Sequence, residues 1–587
     1  MVKKNLIVSP YQAKFINNSE VLFLADYSKS QDIENISNSN SLPYHWNDKS
    51  KAEKDYIYLS NLKKKLLNQL ANKLNDIHNT DLSLKAWNLV VGNWLTSFII
   101  VSYDRYYMLK KANEKNNNLI TYYTNFDRKK FIPHDTFQAR LDFEDKKWNY
   151  IFINNLIDYF PDIKVIKKDS QKVYPKFQKE KEYRFRKVLI KNFKNVLFFC
   201  FHFLTKNLKK GNKSFVFCGS DFNFIKFLKI RFFINGKTYF EPKFEFPKNL
   251  FINESLRDWK LENEISDNKF EKILKDLIPK WIPLVFLEGF QNIEVPEILK
   301  DLKNPDFIFT SYDHFHDDIF KIWASKFINK GSRLIVASHV GGFLVKYHMH
   351  IDYEFEISDY YLVTGDQTKK YTNSIKIGQY WNTLKYGIHN SKGNILLVPT
   401  INSKFPRDLA SYPLGEQMNY YFNDQFKFFN NLNSNVKEKL RLRLYKYDQG
   451  WEQEKYWKNN CREIKLANNN KNYSSEVSNS SLVVCTYIGR AFVELLAANI
   501  PTLIFWNQNY WKVNNDNLKD LENLKEVGIF HDSPINASNH LNYIFDQIDD
   551  WWFTEKVQKQ RIEFCDKYAY YHPKIFRDMG NIINSFQ

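Results

Sequence analysis

The stretch SLVVCTYIGRAFVELLAANIPTLIFW, Ser481 to Trp506, reads as strand, tight turn, helix, turn and strand. A buried apolar run, Leu482–Cys485, leads into a polar turn holding Thr486, Tyr487 and Gly489. A helix carrying Glu494 follows, Asn499-Ile500-Pro501 breaks it, and Thr502–Trp506 is a second buried strand. In an open α/β sheet, ligands sit at the carboxyl ends of parallel strands, beside helix N-termini whose free N–H groups attract phosphate. The turn at 486–494 is therefore a candidate nucleotide or phosphate site. A purely structural crossover has the same spacing.

Working outward, the same alternation recurs. SFVFCGS from Ser214 is a strand and turn, and DFNFIKFLKIRFF is its helix. Phe307–Thr310 is a strand, Asp313–Asn329 a helix, and Ser332–Ala337 a strand ending in SHVGGF. Tyr360–Val363, Asn394–Val398 and Leu440–Tyr445 add further strands. Strands and helices in alternation predict parallel α/β sheets. VLFLADY, 21–27, is an earlier strand. Leu59, Leu62, Leu66, Leu67, Leu70 and Leu74 recur at helical spacing between Ala52 and His78. A second helix runs from Ser83 to Lys111 with Asp81 or Ser83 as its cap. Residues 112–214 read as an insertion or lid. The end of the chain is helical over Asn536–Ile548 and Trp552–Tyr570, anchored by Trp551 and Trp552.

At 587 residues, 43% of them hydrophobic, the chain is globular and too long for one core. Its net charge is +19, and much of the excess lies in 164–213. Such a face attracts an anionic membrane surface or a phosphorylated substrate, and equally reads as a solvated surface. No nucleic-acid motif accompanies it, so nucleic acid is not expected as a partner. The cysteines at 200, 218, 461, 485 and 565 are scattered through apolar runs, the pattern of a reducing cytoplasm. MVKKNLIVSPYQAKF lacks a signal-peptide core, and the apolar runs Leu89–Val101 and Val196–Leu204 read as too short or interrupted to span a bilayer.

Several groups could carry chemistry. His339, at the end of strand RLIVA, is followed by Gly341 and Gly342, which let backbone approach a ligand. A turn histidine capping a loop is the plain alternative. Asp313, His314, His316, Asp317 and Asp318 invite a metal, yet the acids equally suit a helix's first turn. Arg441 and Arg443 alternate along RLRLY and share a face, suiting a diphosphate or an ion pair with a carboxylate such as Asp448. Glu494, one turn into its helix, suits a ribose hydroxyl or solvent.

LFLADYS, YHWNDKSKAEKDYIYL, WNLVVGNWLTSFIIVSYDRYYML, FTSYDHFHDD, KGSRLIVASHVGGF, FEISDYYLVTG, LRLRLYKYDQGW and the 481–506 stretch together resemble the LIC-type transferase family. That bacterial family is found among surface-polysaccharide genes, and the resemblance spans nearly the whole chain. It implies an α/β fold of the GT-B type, with two Rossmann-like domains facing a cleft. The first would be 1–340, the acceptor side, with helical region 52–111 and basic insertion 112–214. The second would be 341–587, the nucleotide-donor side. The family reads Gly-Glu-Trp-Cys at Ala25-Asp26-Tyr27-Ser28, Gln-His-Gly-Gly at Ser338–Gly342, and His-Glu at Phe355-Glu356. Asp26, His339, both glycines and Glu356 survive these departures.

The expectation is then a cytoplasmic glycosyltransferase, peripheral at most to an anionic membrane. It would move a sugar from a nucleotide-sugar to a surface-polysaccharide or lipid-linked acceptor, with no cofactor and no metal. Arg441, Arg443, Thr486, Tyr487, Gly489, Glu494, Gly341 and Gly342 would hold the donor. His339, with Asp26 or Glu356, would act on the acceptor hydroxyl. A CDP-alcohol transferase of the same architecture and a non-catalytic basic binding protein are the competing readings.

Overall fold

A computed structural model describes residues 4–15, 20–28, 39–116, 118–124, 126–168, 211–247, 250–338, 344–365, 371–468, 472–570, 572 and 574–586. The class is α/β, and the strands form three parallel sheets, each with its own helices.

In the first lobe, β1 (Lys4–Ile7), β2 (Val21–Phe23) and β3 (Ser39–Ser41) precede two long helices, α1 (Lys49–His78) and α2 (Leu84–Lys115). Asp48 caps α1 by accepting from the Lys51 amide at 3.1 Å, and Asn79 ends it in the left-handed conformation at φ 51°. Ser83 caps α2 through the Ala86 amide at 3.3 Å. β4 (Leu119–Thr124), α3 (Thr136–Glu144), α4 (Lys146–Ile157) and β5 (Lys164–Lys168) then complete a sheet of order β3-β2-β1-β4-β5. Residues 119–168, expected within an insertion, are thus part of this sheet. The remainder of the basic segment, 169–210, lies outside the described residues. Among the described residues α2 alone is long and apolar enough to cross a membrane, and it is longer than its apolar run suggested. It is nevertheless the buried centre of this lobe, packed between α1 and α4 through Leu95, Phe98, Leu66 and Phe152.

The middle sheet has β6 (Ser214–Cys218), α5 (Phe224–Phe233), β7 (Lys237–Phe240), α6 (Lys269–Trp281), β8 (Phe307–Thr310), α7 (Asp313–His316), α8 (Asp318–Ile328), β9 (Arg333–Ala337), α9 (Met349–Ile357), β10 (Tyr360–Val363) and β11 (Ser374–Lys376). Its order is β11-β10-β9-β8-β6-β7. The sheet therefore continues from β9 to β10 across residue 340, where a division was expected. Both faces are buried, as parallel strands require. Phe215 and Phe217 pack with Phe227, while Val216 and Cys218 face the opposite core.

The third sheet holds β12 (Asn394–Val398), α10 (Gln417–Asn430), α11 (Ser434–Lys439), β13 (Leu440–Leu442), β14 (Ser480–Cys485), α12 (Arg490–Ala497), β15 (Thr502–Phe505) and β16 (Phe530–His531) in the order β13-β12-β14-β15-β16. Its core is continuous with the middle sheet's. Trp552 donates to Asn499 at 3.0 Å and Trp551 to the Val527 carbonyl at 3.0 Å, so both tryptophans anchor the C-terminal segment. The last helix, α13 (Ile575–Ser585), returns to the middle sheet, where Phe586 stacks on Tyr360 at 3.9 Å. In each sheet the strand order reverses beside its first strand, at β1/β4, β6/β8 and β12/β14. Those reversals are where α/β sheets open crevices.

Candidate active site

At the third sheet's reversal, Thr486 follows β14 and is buried. Its hydroxyl lies 2.6 Å from that of Tyr421 on α10, which also accepts the Thr400 amide at 2.9 Å. One phenol thus ties together the carboxyl ends of β12 and β14. Gly489 has extended backbone, so its value is steric: a Cβ there would stand 2.3 Å from the Tyr487 ring. α12 begins immediately after it, with no side-chain cap. Glu494 accepts from Arg490 Nε at 2.5 Å, and that guanidinium lies 5.3 Å from the Trp381 ring. Its other end reaches to 3.9 Å from Asp221, just after β6. The amino end of α12 therefore lies against the carboxyl end of the middle sheet. Thr486, Tyr487, Gly489 and Glu494 are brought together there.

The arginine pair is not. Arg441 donates to the carbonyls of Glu438 and Leu440 at 2.8 and 2.9 Å, closing the end of α11. Arg443 is ion-paired with Glu476 and lies 5.8 Å from the Tyr473 ring. The partner is Glu476 rather than Asp448, which instead accepts from the Glu452 and Gln453 amides. His339, Gly341 and Gly342 lie outside the described residues. Asp26 follows β2, and its amide donates to Glu416 at 3.3 Å, joining the first lobe to the third. Burial, then the charge of Asp26, raises the Glu416 pKa. Glu356 stands elsewhere: it pairs with buried Lys63 of α1 and accepts from Asn88 at 3.3 Å. His314 and His316 diverge, the first meeting Glu354 at 3.1 Å and the second facing Arg140. Among the described residues no three His, Cys, Asp or Glu side chains gather as a metal ion requires.

Sequence reasoning missed a polar junction where all three lobes meet. α3 supplies Arg140 and Glu144, the segment after β8 supplies Tyr312 and His316, and the start of α9 supplies His348 and His350. The loop after β12 supplies Arg407, Asp408 and Tyr412. His350 Nε2 lies 2.8 Å from Asp408 and 3.3 Å from Ser97 Oγ. Arg407 binds Glu144 at 2.5 Å and Asp408 at 3.1 Å. Burial works against the Asp408 carboxylate, but Arg407 and the His350 hydrogen bond outweigh it and hold its pKa low. The charge of Arg407, then burial, depresses the Arg140 guanidinium. Burial, reinforced by Arg140, keeps His316 neutral well below its ordinary pKa. A groove lined by Trp46, Lys49, Tyr347, Tyr412, Tyr510 and Lys512 opens beside Tyr412. Lys49 lies 5.1 Å from the Tyr510 ring in that groove. An imidazole held by a carboxylate, beside two guanidiniums, can move a proton and grip an oxyanion. The one sequence signal was Arg407-Asp408 followed by Tyr412 in a loop after a strand.

Residues 4–582 match the LIC12162 family transferase model. The chain belongs to that family. Transferase is accordingly its class. No curated protein matches it. Among solved structures it is similar to MurG of Acinetobacter baumannii at 10% identity, TM-score 0.31, over 64% of this chain and 100% of that one. WaaG, a glycosyltransferase involved in lipopolysaccharide biosynthesis, aligns at 12% identity and TM-score 0.28, again over 64% and 100%. Accessory secretory protein 1, 2 and 3 of Streptococcus pneumoniae aligns at 12% identity and TM-score 0.29 over 49% of this transferase. The match spans 54% of that protein, about half its length.

Proposed function

We propose that this transferase moves a sugar from a nucleotide-sugar to a glycan or lipid-linked glycan acceptor, working at the cytoplasmic side without a metal. The donor nucleotide occupies the crevice at α12. Its phosphates meet the uncapped amides after Gly489 and the Arg490 guanidinium, and Glu494 accepts from the ribose. The acceptor enters at the three-lobe junction, where His350, oriented by Asp408, takes the hydroxyl proton. The observation that carries the reading is Arg490 reaching across to Asp221, which sets the carboxyl ends of two parallel sheets face to face. The junction, where α3 of the first lobe meets the segments after β8 and β12, supports the acceptor side of the reading.

Calorimetric titration with UDP, GDP, CMP and CDP tests it. One nucleotide should bind. Glu494→Gln should weaken that nucleotide roughly tenfold to a hundredfold, since hydrogen bonds to a charged group contribute about 1.5–3 kcal/mol. Binding of no nucleotide by the wild type sinks the reading, and a preference for CDP-glycerol over every nucleotide-sugar moves the activity to phospho-alcohol transfer.

A further inference from the structure

We infer that the three-lobe junction is a binding site for an oxyanion carried by the acceptor sugar, a carboxylate or a phosphate, gripped by Arg140. The inference rests on the transferase reading only in calling the ligand an acceptor. Arg407, beside Arg140, is already neutralised by Glu144 at 2.5 Å and Asp408 at 3.1 Å. Arg140 has no such partner: no carboxylate of the described residues reaches ion-pairing distance of it, and its hydrogen bond is to His316 Nε2 at 3.5 Å. Glu144 and Asp408 attract Arg140 only from beyond ion-pairing distance, so a half-buried guanidinium beside a second one has its fork open to an anion.

His316 cannot supply that charge. It accepts from Arg140 through Nε2 while neutral, which leaves the hydrogen on Nδ1, an atom that is buried without a partner. Two groups at one junction are thus left with unspent donors. The planar fork of arginine matches a carboxylate or phosphate with two parallel hydrogen bonds. The groove beyond Tyr412 is edged by Lys49 and Lys512, which add positive charge beside the same junction. The ligand class that fits a guanidinium fork beside two lysines, on a transferase acting on sugars, is an acidic sugar with its charged group on Arg140.

The test titrates full-length wild type, Arg140→Gln and Arg140→Lys with glucuronic acid, glucose 6-phosphate, neutral glucose and, separately, the nucleotide that the wild type binds. Wild type should take at least one acidic sugar and not glucose, and whichever is taken identifies the carboxylate or the phosphate as the source. Arg140→Gln should weaken it at least tenfold with nucleotide affinity unchanged. Arg140→Lys, which keeps the charge and loses the fork, should fall between. Equal binding of glucose, no binding of either acidic sugar, or unaltered binding by both variants overturns the inference. A nucleotide loss in Arg140→Gln as large as the acidic-sugar loss also overturns it, because the anion is then the donor's phosphate. Acidic-sugar binding that survives in a protein binding no nucleotide upholds the site while removing the transferase reading.

Discussion

Glu356→Gln separates a catalytic role for that acid from a structural one. Lys63 lies on α1 with 5% of its side chain exposed, and its charge is met by Glu356 of α9. Its second partner is the neutral Asn88 amide oxygen at 2.9 Å. Removing the carboxylate leaves a buried ammonium facing two amides. Breaking a buried ion pair in this way costs about 3–5 kcal/mol. Glu356 keeps a quarter of its side chain in water, which places the expected loss near the lower bound, about 3 kcal/mol. With a urea slope of about 3 kcal/mol per molar, the midpoint should fall by about 1 M. Lys63→Met combined with Glu356→Gln should recover most of it, since no charge is then stranded. The loss has a pH signature. Burial lowers the Lys63 pKa while Glu356 opposes it, so without Glu356 the folded value drops further below the unfolded one. The unfolded chain then holds a proton that the folded one gives up, and stability rises as pH climbs toward about 10.4. An unshifted urea midpoint in Glu356→Gln, together with abolished transfer, would refute the structural account and return Glu356 to catalysis.

Two histidines carry further expected outcomes. His350→Gln should lower turnover about a hundredfold to ten-thousandfold with nucleotide affinity intact; full turnover in it and loss in His339→Gln would move the base to His339. Burial, then His540, brings His531 down to about 4 in the folded protein. The unfolded chain binds its proton near 6.5, so this group's stability is complete above that pH and about 3 kcal/mol of it disappears as pH falls from 6.5 toward 4. His531→Gln should flatten the urea-midpoint slope over that interval, and an identical slope contradicts the assignment.

Strong local periodicity was legible. The leucines of α1 and the apolar runs at Phe307–Thr310, Tyr360–Val363 and Asn394–Val398 mark elements whose bounds match the structure closely. The first sheet was not, because its outer strands are the polar Ser39–Ser41 and the largely exposed Lys164–Lys168, which edge positions tolerate. The paired arginines misled for a related reason: alternation put them on one face, but the carboxylate that neutralises Arg443 lies far downstream at Glu476. Period gives the face of a strand and says nothing about who waits opposite it.

The junction was illegible for a deeper reason. Arg140, His316, His350 and Asp408 come from three lobes, and each alone is an ordinary polar residue near an element end. Their chemistry exists only once β4 and β5 close the first sheet and hold α3 against the segments after β8 and β12. That dependence bears on what the first lobe is for. An insertion decorating a two-domain enzyme could lose its inner face without touching the cleft. Here α3 contributes the one guanidinium of the junction that no described carboxylate meets at ion-pairing distance, beside His350 and Asp408. On the proposed reading the first lobe's sheet is then part of the site: it is what holds the Arg140 guanidinium beside residues of the other two lobes.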